Sequence, residues 1–382
     1  MPDPHTMPCE DVADKTALLK SWGYQILGSA PTPGMPGFCT LDFNYPARTR
    51  AMPLRAAAAP APVAAAHDDA LEPLQQQASK AIVNIFETGE VLGKYGQVTL
   101  IEDDPGHLTF GRSQTTLGSG NLWSLINDYC DAPGARFGSR LQPYLSKLKD
   151  RMRELDKDLR LHNLLRATAD DPVMRKVQDA FFDKAYWQRA LANAAQMQIH
   201  SALGIAVVYD SIVHGAWERM RDRTVDRYGA IRAAFPEQEW IAAYIKTRGE
   251  WLASNDQPVL RPTVYRMKTF QALVEHDKWS LELPLLVRSR EISLKTLLAS
   301  PPDCYDGPAP GSRALAVTTP LARGLDVRLV QLALSDAGMS VTADGVYGSG
   351  SATAVKQYQT VKGLASSTIL DQDLIRKMTM PH

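Results

Sequence analysis

The sequence predicts a mainly α protein of the α+β kind. A mostly helical domain with a small β-hairpin wall is followed by a C-terminal module of three short helices. Three observations lead there. Apolar residues recur at helical spacing over 74–86 and again over 174–197. A short apolar stretch at 98–110 is folded on an acidic turn. Two stretches rich in Ala and Pro or in Pro and Gly, 55–67 and 300–311, punctuate the chain.

These breaks divide the 382 residues into an N-terminal extension (1–54), a linker (55–70), a large central domain (71–298), a second linker (299–316) and a C-terminal module (317–382). The extension holds one helical stretch around Asp14–Tyr24 and then many prolines and glycines. It reads equally as a degenerate half-domain, an export tag or partial disorder. In the central domain, Leu74, Ala78, Ala81, Ile82, Ile85 and Phe86 form one helical stripe that stops at Gly89, a residue suited to the left-handed cap. Val98-Thr-Leu-Ile reads as a strand, 103–106 as a turn and 107–110 as a return strand. Residues 174–197 form a helix whose apolar positions are core.

Chemistry concentrates at the first helix end. Glu87 sits at the negative pole of that helix beside an apolar stripe, and both effects favour the neutral acid that a general acid must be. Seventeen positions later Asp104 lies in a solvated turn and is expected to stay ionised. Two carboxyls in opposed environments are the minimum equipment of a glycosidase. Spacing alone is weak, because 42 of 382 residues are acidic and most such pairs are solvated surface. Glu90, Glu102 and Asp103 are the competing carboxylates.

From about residue 75 to 295 the chain resembles the family-46 chitosanases, inverting glycoside hydrolases with a lysozyme-like two-lobed fold. The segment from Asp104 to Tyr129 follows the family pattern without gaps. The resemblance implies Glu87 as catalytic acid (one residue closer to the aspartate than usual), Asp104 as base and Thr109 as the residue that holds the water. It also implies a substrate-binding glycine turn at Gly118 and Gly120, with His107 and Asn121 beside it. Tyr209-Asp210 with His214-Gly215 resembles the signature of the family's central helix. Arg248 and Arg266 match two arginines that bracket its aspartate, which implies a buried Asp210, Arg248, Arg266 network tuning Glu87. A buried Asp with two Arg also serves as plain scaffold, and His214 reads best as a satisfied core histidine. Asn121 departs from the family, whose members carry an aspartate there to pair with a substrate amine. An amide cannot neutralise an ammonium. Asn121 also reads as a helix N-cap.

Gly324-Leu-Asp-Val, Asp344-Gly-Val-Tyr-Gly348 and Ala352-Thr-Ala-Val-Lys-Gln-Tyr-Gln359 resemble the common three-helix peptidoglycan-binding module. The resemblances together imply inverting hydrolysis of a β-1,4-linked amino-sugar polymer. Asn121, the neutral charge balance and the module rank peptidoglycan (muramidase-like cleavage) ahead of chitosan. The alternative is a chitosanase whose module is structural. A wall-binding protein with a decayed site is disfavoured, because both carboxyls and the threonine are present.

Equal numbers of basic and acidic residues, 42 each, exclude a nucleic-acid partner. No apolar run reaches the ~18 residues of a membrane span, so no membrane insertion is expected. No cofactor and no metal are expected, since no ligand-spaced cluster occurs. Cys9 and Cys39 read either as a disulfide formed after export or as free thiols. The N-terminus lacks the basic start and apolar core of a Sec-type signal. The expectation is therefore delivery by another route to the periplasm or wall of a target bacterium, as an antibacterial effector of a type VI secretion machine. A secretion-apparatus carrier and a periplasmic immunity protein would be its partners. A phage endolysin and a chain trimmed of its signal are the alternatives.

Overall fold

A computed structural model describes residues 6–9, 12–21, 25–33, 36, 38–44, 71–100 and 105–379. The Ala/Pro stretch 55–67 and the base candidate Asp104 lie outside the described residues.

The extension contains β1 (Thr6–Pro8), α1 (Val12–Ser21), β2 (Gln25–Pro31) and β3 (Phe38–Asn44). The three strands form an antiparallel sheet in the order β1-β3-β2. Cys9 and Cys39 are joined as a disulfide next to the Pro8–Phe38 pairing. Then come α2 (Pro73–Thr88), β4 (Val98–Thr99), β5 (Thr109–Phe110), β6 (Thr115–Thr116), α3 (Asn121–Asp131), α4 (Gly138–Leu141), α5 (Leu145–Lys149), α6 (Leu159–Thr168) and α7 (Pro172–Phe182). A π turn, Asp183–Trp187, leads into α8 (Gln188–Gln196) and α9 (Ala202–Val213). The chain continues through α10 (Trp217–Tyr228), α11 (Glu237–Ala253), α12 (Tyr265–Glu275), β7 (Leu285–Val287), β8 (Arg290–Ile292) and α13 (Leu294–Leu297). Last are α14 (Leu325–Asp336), α15 (Ser349–Val361) and α16 (Gln372–Thr379). The mainly helical class with a small β element is what the chain adopts.

Two compact units result: residues 1–92 with 186–299, and residues 93–185 with 300–382. In the first, α9 is the central helix. Every residue from Ala202 to Ile212 is buried, as an apolar-all-round helix must be. Helices α2, α8, α10, α11 and α12 surround it. Ser201 starts it by accepting from the Gly204 N–H. Helix α2 buries Ala78, Ala81, Ile82, Ile85 and Phe86 of the stripe, while Leu74 in its first turn is exposed. Phe86 meets Tyr265 and Phe270 edge to face. Burying such a ring is worth roughly 1.5–3 kcal/mol.

In the second unit the strands form an antiparallel sheet in the order β4-β5-β6. Leu108 and Phe110 join Leu122, Leu125, Ile126, Leu161 and Met174 in one core, and Leu332 of α14 belongs to it. The other face of α14 (Val327, Val330, Leu334) builds the module's own core with Tyr347, Val355, Leu370 and Ile375. The stretch read as the second linker is held by polar contacts. The Tyr305 N–H donates to Asp170 at 2.8 Å, and Arg328 donates to the Asp303 carbonyl at 2.5 Å.

Candidate active site

Glu87 is the penultimate residue of α2, and Gly89 (φ 75°) turns the chain in the left-handed conformation, donating to the Ile85 carbonyl. Glu87 thus stands at a helix C-terminus, as its sequence position predicts. Its side chain is 38% exposed and is not enclosed by the apolar stripe. Arg266, from α12, donates to Glu87 Oε1 at 2.7 Å and to Asp210 Oδ1 at 2.7 Å. Asp210 is fully buried because it rides on α9. Burial works against the charge on Arg266, but the two carboxylates outweigh it and raise its pKa above the ordinary guanidinium value. Tyr265 Oη donates to the Phe86 carbonyl at 2.9 Å, tying the same helix end to α12.

Arg248 does not bracket Asp210 as expected. It donates to the Gly215 carbonyl at 2.8 Å and to His214 Nδ1 at 3.0 Å. The reason is local. Gly215 (φ 92°) turns the chain sharply after α9, which presents its carbonyl and the His214 ring to Arg248. Asp210 Oδ2 has no hydrogen-bond partner. Burial, and then the charge of Arg266, push the His214 pKa down to about 4. The ring is therefore neutral near pH 7, with its proton on Nε2, because Nδ1 accepts from a guanidinium.

Glu90, the competitor nearest Glu87 and about as exposed as it, lies 3.7 Å from Arg290. Among the described residues no hydrogen bond or ion pair ties it to Asp210. Glu102 and Asp103 lie outside the described residues.

The other predicted residues belong to the second unit. Thr109 starts β5, and its hydroxyl donates to the His107 carbonyl at 3.1 Å. Asp156 holds this segment with both oxygens, accepting from the Leu108 N–H at 2.9 Å and contacting His107 Nδ1 at 2.9 Å. Asp156 was missed in the sequence; it lies in a short 3₁₀ turn, Arg153–Lys157, with no motif around it. The glycine turn is required by packing. A Cβ on Gly118 would sit 2.2 Å from the Pro105 carbonyl oxygen. The Gly118 N–H donates to Gly106 at 2.9 Å, which fastens the turn beside the residues that follow Asp104. Gly120 (φ 82°) is the N-cap of α3, so Asn121 is its first helical residue and not the cap. Asn121 is exposed. Among the described residues no group of three or more His, Cys, Asp or Glu is placed to hold a metal, and no helix is long and apolar enough to cross a membrane.

Comparison with known proteins bears on this arrangement. The peptidoglycan binding domain family matches residues 323–378. The chitosanase of Bacillus subtilis (strain 168) is 25% identical over 233 residues, covering 57% of this chain and 83% of that protein. Two solved structures are similar at 23% identity. The native chitosanase from Bacillus subtilis MY002 has a TM-score of 0.47, with 58% of this chain and 96% of that chain covered. A family-46 chitosanase of Gynuella sunshinyii in complex with chitotetraose has a TM-score of 0.49, with 59% and 99% covered. Glycosyl hydrolase family 46 matches residues 81–285, more than half of the sequence, and the chain belongs to that family.

Proposed function

We propose that this glycoside hydrolase cleaves chitosan with inversion, Glu87 acting as the general acid and Asp104 as the base. The observation that carries the assignment of the acid is the hydrogen bond from Arg266 to Glu87 Oε1. Arg266 only donates, so Oε1 must accept from it, and a proton passed to the leaving glycosidic oxygen has to be carried on Oε2. Asp104 draws a proton from a water held by Thr109 on the opposite face of the sugar. For a water to fit between them, an inverting pair stands about 6.5–9.5 Å apart. Membership of family 46 and the likeness to a protein named chitosanase support chitosan, the alternative of the sequence reading, as the first substrate.

Peptidoglycan is the second reading, favoured by the family match over 323–378 and by Asn121 in place of an acidic residue. Soluble products from deacetylated chitosan, compared with those from purified sacculi, separate the two. Products from sacculi alone would reverse the ranking, and products from neither would sink the hydrolase assignment for both polymers. On the peptidoglycan reading, the chain acts in the periplasm of a target cell, with an immunity protein as partner. Expression with an added periplasmic signal should then lyse a Gram-negative host, and Glu87→Gln should abolish the lysis. A host that tolerates confirmed, folded periplasmic protein rules that role out.

A further inference from the structure

Within the second unit a cavity of about 430 Å³ opens between α6 and the turn that precedes α15. Both parts of the sequence build its wall: His162, Asn163 and Arg166 come from α6, and Gln331 and Asp344 come from the C-terminal module. Most of the polar groups are already bonded to the fold. Buried Asn163 donates to Ser335 Oγ at 3.0 Å and to the Val341 carbonyl at 2.8 Å, and accepts from the Ala343 N–H at 2.9 Å. Gln331 donates to Asp344 Oδ1 and accepts from the Gly345 N–H, both at 2.8 Å. These bonds fix the shape of the cavity.

Arg166 is the exception. It is the one Lys or Arg on this wall, and its side-chain hydrogen bond, from Nη1 to Asn163 Oδ1, is long at 3.3 Å. Among the described residues no carboxylate lies within salt-bridge distance of it, and the acidic group that favours its charge is Asp344, on the same wall. Its neighbour Arg328 adds positive charge and is itself occupied by Asp170, 3.1 Å away, and by backbone carbonyls. A guanidinium stays protonated and carries five donors, so a half-buried one with a single long bond is under-satisfied. His162 complements it. Nε2 donates to the Leu155 carbonyl at 3.0 Å, and burial disfavours the charged ring, which leaves Nδ1 as an acceptor.

We infer that this composite cavity binds a small polar ligand through a single carboxylate anchored on Arg166. The exposed Asp344 carboxylate on the same wall works against polyanions and limits the ligand to one negative charge. The volume suits one sugar ring or a dipeptide, at the low end of the ~300–1,000 Å³ of small-molecule sites. The lactyl group of a muramyl sugar and the C-terminus of a wall stem peptide both offer such a carboxylate. The inference is independent of which polymer the active site cuts, because the wall, four of whose residues belong to α6, includes none of the residues proposed for hydrolysis.

The test is calorimetric titration of the full chain with N-acetylmuramic acid, with N-acetyl-D-alanyl-D-alanine, and with N-acetylglucosamine as the uncharged control. One or both carboxylates should bind and the control should not, and whichever binds identifies the source. Arg166→Gln should weaken that binding at least tenfold. So should Thr342→Glu, which adds charge at an exposed wall position without touching packing. Lys356→Gln, exposed on α15 outside the cavity, should bind as the parent does. Failure of both carboxylates to bind, affinity unchanged in both cavity variants, or equal binding of the uncharged sugar would each overturn the inference.

Discussion

Arg266 Nη2 stands 2.7 Å from Glu87 Oε1, joining the start of α12 to the end of α2. Asp210, wholly buried on α9, takes the neighbouring nitrogen and orients the guanidinium toward that acid. A flexible surface carboxylate becomes a positioned one through a charge-assisted bond whose donor is itself held in the core. Geometry of this kind separates Glu87 from Glu90, three residues away.

Glu87→Gln and Asp104→Asn should each lower kcat by at least about a hundredfold, the usual scale of general acid–base assistance. Glu90→Gln should retain most activity, since among the described residues the side chain of Glu90 pairs with Arg290, 3.7 Å away, and not with Arg266. Reducing-sugar release and thermal melting of the three variants decide the matter. A dead Glu90→Gln beside an active Glu87→Gln would transfer the acid role.

Arg266→Ala should both destabilise the fold and slow turnover. It leaves a fully buried Asp210 without a partner, a loss of about 3–5 kcal/mol. Arg248→Ala breaks bonds to His214 and the Gly215 carbonyl and should cost only about 1–3 kcal/mol. Its kcat should fall less than that of Arg266→Ala. Urea unfolding with parallel kinetics tests both; equal kinetic losses would mean that Arg248 supports the acid as directly as Arg266 does.

Burial, followed by the charge of Arg266, lowers the His214 pKa from 6.5 to about 4. Between those values the unfolded chain binds a proton at this ring and the folded chain does not. The contribution of neutral His214 is therefore complete above pH 6.5 and is lost as pH falls toward 4. His214→Gln should flatten the pH dependence of stability across that window. A variant whose stability falls with acid as steeply as the parent's would show that His214 titrates normally.

Gly118→Ala should be destabilising by about 1–3 kcal/mol, because its Cβ would meet the Pro105 carbonyl oxygen at 2.2 Å. Relief requires the turn at 105–106 to move, and that turn follows Asp104 directly. Activity should fall beyond what the loss of folded protein explains. Wild-type kcat in the folded fraction would separate the glycine turn from catalysis.

Asn121→Asp should shift preference toward the cationic polymer. Asn121 is exposed, so the gain is that of a surface ion pair, about 0.2–1 kcal/mol, or up to roughly fivefold in the ratio of kcat/KM on chitosan to that on acetylated glycan. An unchanged ratio would remove position 121 from substrate recognition.

What the sequence by itself determined is local. The stripe ending at Gly89 places Glu87 at a helix terminus, because period and cap are properties of neighbouring residues. The helices of the C-terminal module are legible for the same reason, whereas the 174–197 stretch, read as one helix with core apolar positions, is broken by the π turn Asp183–Trp187 and leaves Ala180, Ala185 and Ala195 exposed. Strand β6 escaped notice because two residues, Thr115 and Thr116, are too few to show alternation. Leu74 shares the stripe and is nonetheless exposed, because helical phase says nothing about what covers a first turn. Tertiary structure alone decided the partners. The bond from Arg266 to Glu87 spans 179 residues and that from Asn163 to Ser335 spans 172. Arg248 was set beside Asp210 by resemblance, yet the turn at Gly215 gave it a carbonyl and a neutral histidine. A buried charge takes whichever partner packing brings within hydrogen-bond reach, and packing is settled by apolar surfaces far apart in sequence.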